Sequence, residues 1–107
     1  MQQLPETFAA LGDQTRFAIV ERLLSEGELS AGALQGDFDI SAPAISRHLK
    51  VLRKSGVIRQ KVAGQKRLYS VEPEAVKAIS VWAISHEEFW KSSLDRLEKA
   101  LKEDTDN

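Results

Sequence analysis

The sequence predicts a mainly helical fold carrying one β-hairpin, and three observations predict it. Two short helical segments, headed by Ser30 and Ser41, follow each other across only a few residues. After Gly56 the texture becomes strand-like, in two runs that flank Ala63-Gly64-Gln65. From Pro73 to about Lys102, apolar residues return every three or four positions, the rhythm of a helical packing seam.

Taken in order, the first element is a short helix over Pro5 to Leu11, ended by Gly12-Asp13. Asp13 or Thr15 can cap a second helix that runs to about Ser25, with Phe17, Ile19, Val20, Leu23 and Leu24 as its apolar positions. Gly27 stops it. Ser30 heads a short helix ending near Gly36, and a loop with Asp37 and Asp39 follows. Ser41-Ala42-Pro43 then opens a helix to about Ser55: a serine cap, and a proline in the first turn where its missing N–H costs nothing. Val57–Val62 and Lys66–Val71 read as the hairpin strands, joined by a three-residue connection containing Gly64. Pro73-Glu74 begins a single long helix to about Lys102, acidic at its start as the helix dipole prefers.

At 107 residues the chain reads as one domain over 1–107, with a core at 13–72 and a C-terminal helix at 73–103. Hydrophobic residues make up 42% and charged residues 29%, the proportions of an ordinary soluble globule. No cysteine is present, which excludes disulfides, thiolate metal sites and cysteine nucleophiles, and suits a reducing, cytoplasmic setting. Met1 to Glu6 carries no basic stretch followed by an apolar run, so no signal peptide is expected, and no apolar run spans a bilayer.

Charge is sorted along the chain. Eight of the 15 basic residues fall between Ser41 and Val71, while all 16 acidic residues lie outside that segment. Solubility alone favours interspersed signs. A one-sign block is what a polyanion-binding surface needs, because each neutralised phosphate releases condensed counterions. The bland alternative is a solvated basic face.

The helix from Ser41 sharpens the choice. Ile45, Leu49 and Leu52 make one apolar stripe, and Pro43, Ser46, Arg47, Lys50 and Lys54 fall on the opposite arc. Such a helix fits the DNA major groove with its N-terminal side chains at base edges. Ser46 and Arg47 are the candidate base readers; Lys50, Arg53 and Lys54 suit phosphates, which set register without reading sequence. His48 sits at the edge of the buried stripe, either packed near the turn or touching a phosphate. Arg59, Lys61, Lys66 and Arg67 gather about the hairpin tip, where they can border a minor groove. Charged hairpins also guard against edge pairing, but that protection works with either sign, and only one sign occurs here.

Leu11-Gly12-Asp13-Gln14-Thr15-Arg16, the run Ser41-Ala42-Pro43-Ala44-Ile45-Ser46-Arg47-His48-Leu49-Lys50-Val51-Leu52, and Gly64 followed by Lys66-Arg67 and Tyr69 resemble the ArsR/SmtB-type winged-helix regulators. The likeness runs from about Phe8 to Pro73. It implies a winged helix-turn-helix fold and a homodimeric repressor that releases a palindromic operator on receiving a signal. Metal-sensing members place cysteines on the first helix of the pair, and Glu28 to Gly36 holds none. Others use histidine and carboxylate pairs on the last helix, where this chain offers His86 beside Glu87 and Glu88. One histidine is a poor zinc site, and no metal or cofactor is expected, although a two-fold axis could bring the His86 of both chains together. A small-molecule or protein effector is left open.

The C-terminal helix asks for a partner. Val76, Ile79, Ala83, His86, Trp90, Leu94, Leu97 and Leu101 form one stripe, and Ala78, Trp82 and Phe89 widen it. A domain of this size has too little core of its own to cover both, and a second copy about a two-fold axis is the natural solution. Ile79, Trp82, His86, Phe89, Trp90, Leu94 and Leu97 are the expected interface; aromatic walls also line ligand pockets, the competing reading. Two-fold pairing sets the two DNA-reading helices about 34 Å apart, one turn of DNA.

No glycine-rich phosphate loop or metal cluster is visible, and His48 lies two residues from Ser46, off its helical face, so an enzyme is not expected. The rival function is a winged helix that binds protein as an adaptor. DNA binding predicts a steep salt dependence, which an adaptor does not.

Overall fold

A computed structural model describes residues 3–105. Met1, Gln2, Asp106 and Asn107, the ends of the expected single domain, lie outside the described residues. The chain runs through α1 (Leu4–Leu11), α2 (Gln14–Glu26), β1 (Leu29–Ser30), α3 (Ala31–Gln35), α4 (Ala42–Lys54), β2 (Ile58–Ala63), β3 (Lys66–Val71), α5 (Pro73–Ser85) and α6 (Glu87–Thr105).

Helices α2, α3 and α4 each start after a short side chain that satisfies a backbone donor left unpaired in the first turn. Asp13 accepts the Arg16 N–H, Ser30 the Ala33 N–H at 3.1 Å, and Ser41 the Ala44 N–H at 3.3 Å. The end of α4 is equally well defined. Gly56 takes φ of 79°, its N–H donates to the Arg53 carbonyl and the Val57 N–H to the Leu52 carbonyl. This paired arrangement closes a helix and turns the next residue, Val57, into the core.

The core lies between α2, α3, α4 and the sheet: Ile19, Val20, Leu23, Leu34, Ile45, Leu49, Leu52, Val57, Ile58 and Tyr69 are buried. Each large side chain removed from water contributes about 1.5–3 kcal/mol. The expected stripe of Ile45, Leu49 and Leu52 is its α4 wall. Phe17 and Leu24, by contrast, are 49% and 59% exposed despite their helical spacing. They edge a hollow of about 220 Å³ between α2, the wing base and α5, to which Ile79 also belongs.

Three further differences from expectation concern the sheet, its hairpin turn and the last helix. The hairpin is part of a three-stranded sheet in the order β1-β3-β2, with Leu29 opposite Tyr69 and Ser30 opposite Leu68. A two-residue strand shows no alternation in sequence, and its partner lies far along the chain. The hairpin turn is also shorter: Ala63 pairs with Lys66, leaving Gly64 and Gln65 as the loop. Gly64 has φ of 64° and Gln65 a negative φ, the pattern of a type II′ turn.

The long C-terminal helix is two helices. It breaks at His86, where the Ser85 hydroxyl and His86 Nδ1 both reach the Trp82 carbonyl, at 2.9 and 2.8 Å. The His86 N–H turns to Ala83 instead. Side chains competing for a backbone carbonyl interrupt the regular ladder.

The radius of gyration is 18.5 Å, against about 13 Å for a compact chain of this length. The excess reflects α6, which packs against α5 and reaches away from the core.

A candidate nucleic-acid interface

Pro43, Ser46, Arg47, Lys50, Arg53 and Lys54 are all exposed on α4, because the opposite face of the helix is fixed in the core by Ile45, Leu49 and Leu52. Burying one stripe decides the direction of every other side chain on the helix.

The wing approaches this face. Ser46, Lys50, Arg53 and Lys54 of α4 line a cleft of about 350 Å³ with Arg67 and Tyr69 of β3. Tyr69 is 7% exposed and anchors the strand to the core. Arg67, two residues earlier, lies on the same face of the strand and so reaches toward α4. Four cations therefore converge on one concavity, and its lining contains no carboxylate. Low-dielectric walls of one sign concentrate the field within such a cleft.

The remaining wing cations are arranged differently from expectation. Arg59 pairs across the ladder with Ser70, at the base of the hairpin and not at its tip. Its Nε donates to the Ser70 hydroxyl at 3.3 Å, and its Nη1 lies 4.0 Å from the Glu72 carboxylate. Lys61 and Lys66 do flank the tip, but with Arg59 they share the ribbon face opposite Arg67. Sequence alternation contained this division; reading the wing as one basic cluster hid it. Tyr69, which turns Arg67 toward α4, was missed as a site residue for the same reason.

His48 is half-buried at the inner edge of α4. Its Nδ1 lies 3.5 Å from Arg16 Nη1 and 3.8 Å from Asp13 Oδ2. Asp13 is the cap of α2, and the Arg16 N–H it accepts holds its carboxyl below the ordinary value of 3.8.

The apolar surface expected between subunits divides in two. Trp82, His86, Phe89 and Trp90 form an aromatic run, with centroids 5.1 Å apart for Trp82–His86, 6.4 Å for Trp82–Trp90 and 4.9 Å for Phe89–Trp90. Phe8 of α1 extends it, a contact that sequence spacing within the last helix had no means of showing. Leu94 and Leu97 continue the surface along α6, 65% and 56% exposed. Ile79 departs from it and faces the hollow beside Val20 and Leu24. Among the described residues, no three His, Cys, Asp or Glu side chains gather as a metal site requires, and no helix is long and apolar enough to cross a membrane.

Comparison with known proteins agrees with this architecture. A family model described as a helix-turn-helix domain matches residues 11–61. The HTH-type transcriptional regulator Rv2034 of Mycobacterium tuberculosis is 40% identical over 85 residues, covering 79% of this chain and 76% of that one. The arsenical resistance operon repressor of Escherichia coli is 33% identical over 98 residues, covering 91% of this chain and 80% of its own. Among solved structures, the crystal structure of an ArsR family transcriptional regulator superposes with a TM-score of 0.73 at 34% identity, covering 86% of this chain and 98% of that one.

Proposed function

Because this chain belongs to the ArsR family of winged helix-turn-helix regulators, we propose that it represses transcription as a homodimer bound to an inverted-repeat operator. It is a DNA-binding transcriptional regulator and not an enzyme. The observation that carries the operator reading is the cleft in which Lys50, Arg53 and Lys54 of α4 face Arg67 of the wing.

In this reading α4 lies in the major groove. Ser46 and Arg47, near its N-terminal end, read base edges, and Pro43 in the first turn stands against the groove wall. Lys50, Arg53, Lys54 and Arg67 hold phosphates along the cleft. Lys61 and Lys66 follow the backbone at the wing tip, and Arg59 lies behind them against Glu72. The domain then divides into a DNA-binding core at 13–72 and dimerisation helices at 73–103, acting in the cytoplasm where DNA is accessible.

Pairing is supported by the uncovered seam of Trp82, His86, Phe89, Trp90, Leu94 and Leu97, with Ile79 at its margin. Contiguous apolar surface on this scale is what subunits bury against each other.

The test is selection of bound fragments from the source genome by purified protein at low and near-physiological salt. The expected result is a few promoter fragments sharing an inverted repeat, with half-sites about one helical turn apart. Uniform recovery that vanishes with salt would reduce the cleft to a nonspecific basic surface. No recovery at either salt would favour the adaptor function.

A further inference from the structure

Asp13, Arg16 and His48 form a cluster that the DNA-contacting surface does not use. Asp13 Oδ2 accepts the Arg16 backbone N–H at 2.9 Å, which starts α2 and fixes where the Arg16 side chain leaves it. The guanidinium then reaches two other helices. Its Nε donates at 2.8 Å to the carbonyl of Ala10, one of those the end of α1 leaves without a helical partner. Its Nη1 lies 3.5 Å from His48 Nδ1 on α4.

A guanidinium has donors only, so a hydrogen bond from Arg16 to Nδ1 requires that the neutral His48 ring carry its proton on Nε2. The Asp13 carboxylate, 3.8 Å from the same nitrogen, is too distant to hold that proton in place. We propose that Arg16 is a positioning residue for DNA binding: one guanidinium ties the end of α1 to His48 and thereby sets how α4 is presented to DNA. The inference rests on α4 being the DNA-reading helix.

Arginine suits the task because its planar fork offers separate donors to two partners, whereas a lysine ammonium is a single point on a flexible stem. The choice of α1 as anchor also matters. Phe8 of α1 meets Trp82 of α5, so α1 stands between the aromatic seam and the reading helix.

The test is fluorescence anisotropy of the full chain with a labelled duplex carrying a site recovered by the genomic selection, over a series of salt concentrations. Arg16→Ala and Arg16→Lys should each weaken binding roughly fivefold or more, the range of coupled neighbours. The slope of log affinity against log salt should not change, because no phosphate contact is removed. In a His48→Ala background the Arg16→Ala loss should disappear, and His48→Asn, which keeps an acceptor in the Nδ1 position, should retain most of the affinity. Additive losses, or a slope reduced by about one, would overturn the positioning role. A second measurement needs no substitution: the imidazole nitrogen NMR spectrum of the unsubstituted chain should show neutral His48 as the Nε2–H tautomer. An Nδ1–H tautomer would overturn the clamp even with DNA binding intact. Failure of the unsubstituted chain to bind any duplex would instead remove the DNA-reading assignment of α4, and this inference with it.

Discussion

Phe8 and Trp82 meet edge to face, with ring centroids 5.6 Å apart and planes inclined at 67°. The contact seats α5 on α1 while leaving each residue about two-fifths exposed, at 41% and 39%. An edge-to-face pair contributes about 0.5–1.5 kcal/mol beyond area burial, enough to orient the helix without covering the seam.

That uncovered seam leads to the first prediction. Trp90→Ala should weaken self-association by about 2 kcal/mol or more, roughly thirtyfold, as truncating a central aromatic anchor does. Sedimentation equilibrium over a concentration series checks it, and an unchanged dimer constant would count against the seam.

Arg47 and Arg67 should fail differently. Arg47→Ala should cost about 1–3 kcal/mol on the operator and relax base preference at one position per half-site. Arg67→Ala should weaken operator and random duplexes evenly and lower the salt slope by about one per subunit. Competition binding on both duplexes separates the two, and equal losses for Arg47→Ala would remove its base-reading role.

The wing turn depends on backbone conformation and not on space. No atom lies within 4 Å of a Cβ built on Gly64, yet its φ of 64° is one that side chains with a Cβ avoid. Gly64→Ala should therefore lower stability by about 1 kcal/mol, read as a fall in Tm, while the α4 contacts remain intact.

Within the core, Leu52→Ala should destabilise by about 2–5 kcal/mol in chemical unfolding, since the side chain is 0% exposed and its loss leaves a cavity.

Asp13 gives a prediction in pH. Its carboxyl is held below 3.8 first by the Arg16 backbone N–H it accepts and then, against a smaller opposing effect of burial, by the charges of Arg16 and His48. A depressed carboxyl stabilises the fold above its unfolded value and loses that contribution as pH falls through the folded one. Asp13→Ala should thus lower Tm at neutral pH, and the difference from the unsubstituted chain should close in acid below that value. A constant gap across the acid range would show that the cap is not the cause.

Much of the fold was legible because its signals are local. Ser41 before Pro43, Gly56 after Lys54, and Gly64 between strand-like runs each fix a boundary through the conformation of one or two residues. The solvent-facing arc of α4 was legible for a related reason: once Ile45, Leu49 and Leu52 are turned inward, helical geometry leaves Ser46, Arg47 and Lys50 no other direction. The break at His86 was not legible. It depends on the Ser85 and His86 side chains taking the Trp82 carbonyl, a competition invisible to apolar periodicity.

By itself, the sequence determined the first four helices, the wing, the segregation of eight cations into one segment, and the apolar excess of the C-terminal helical region. These follow from propensity, capping and spacing, which act over a few residues. Only the tertiary structure decided that the wing turns its Arg67 face toward α4, that Ile79 leaves the aromatic seam, and that Arg16 reaches both Ala10 and His48. Each depends on how separate helices and strands lie against one another in the assembled core, and that arrangement exists only once the whole domain is packed.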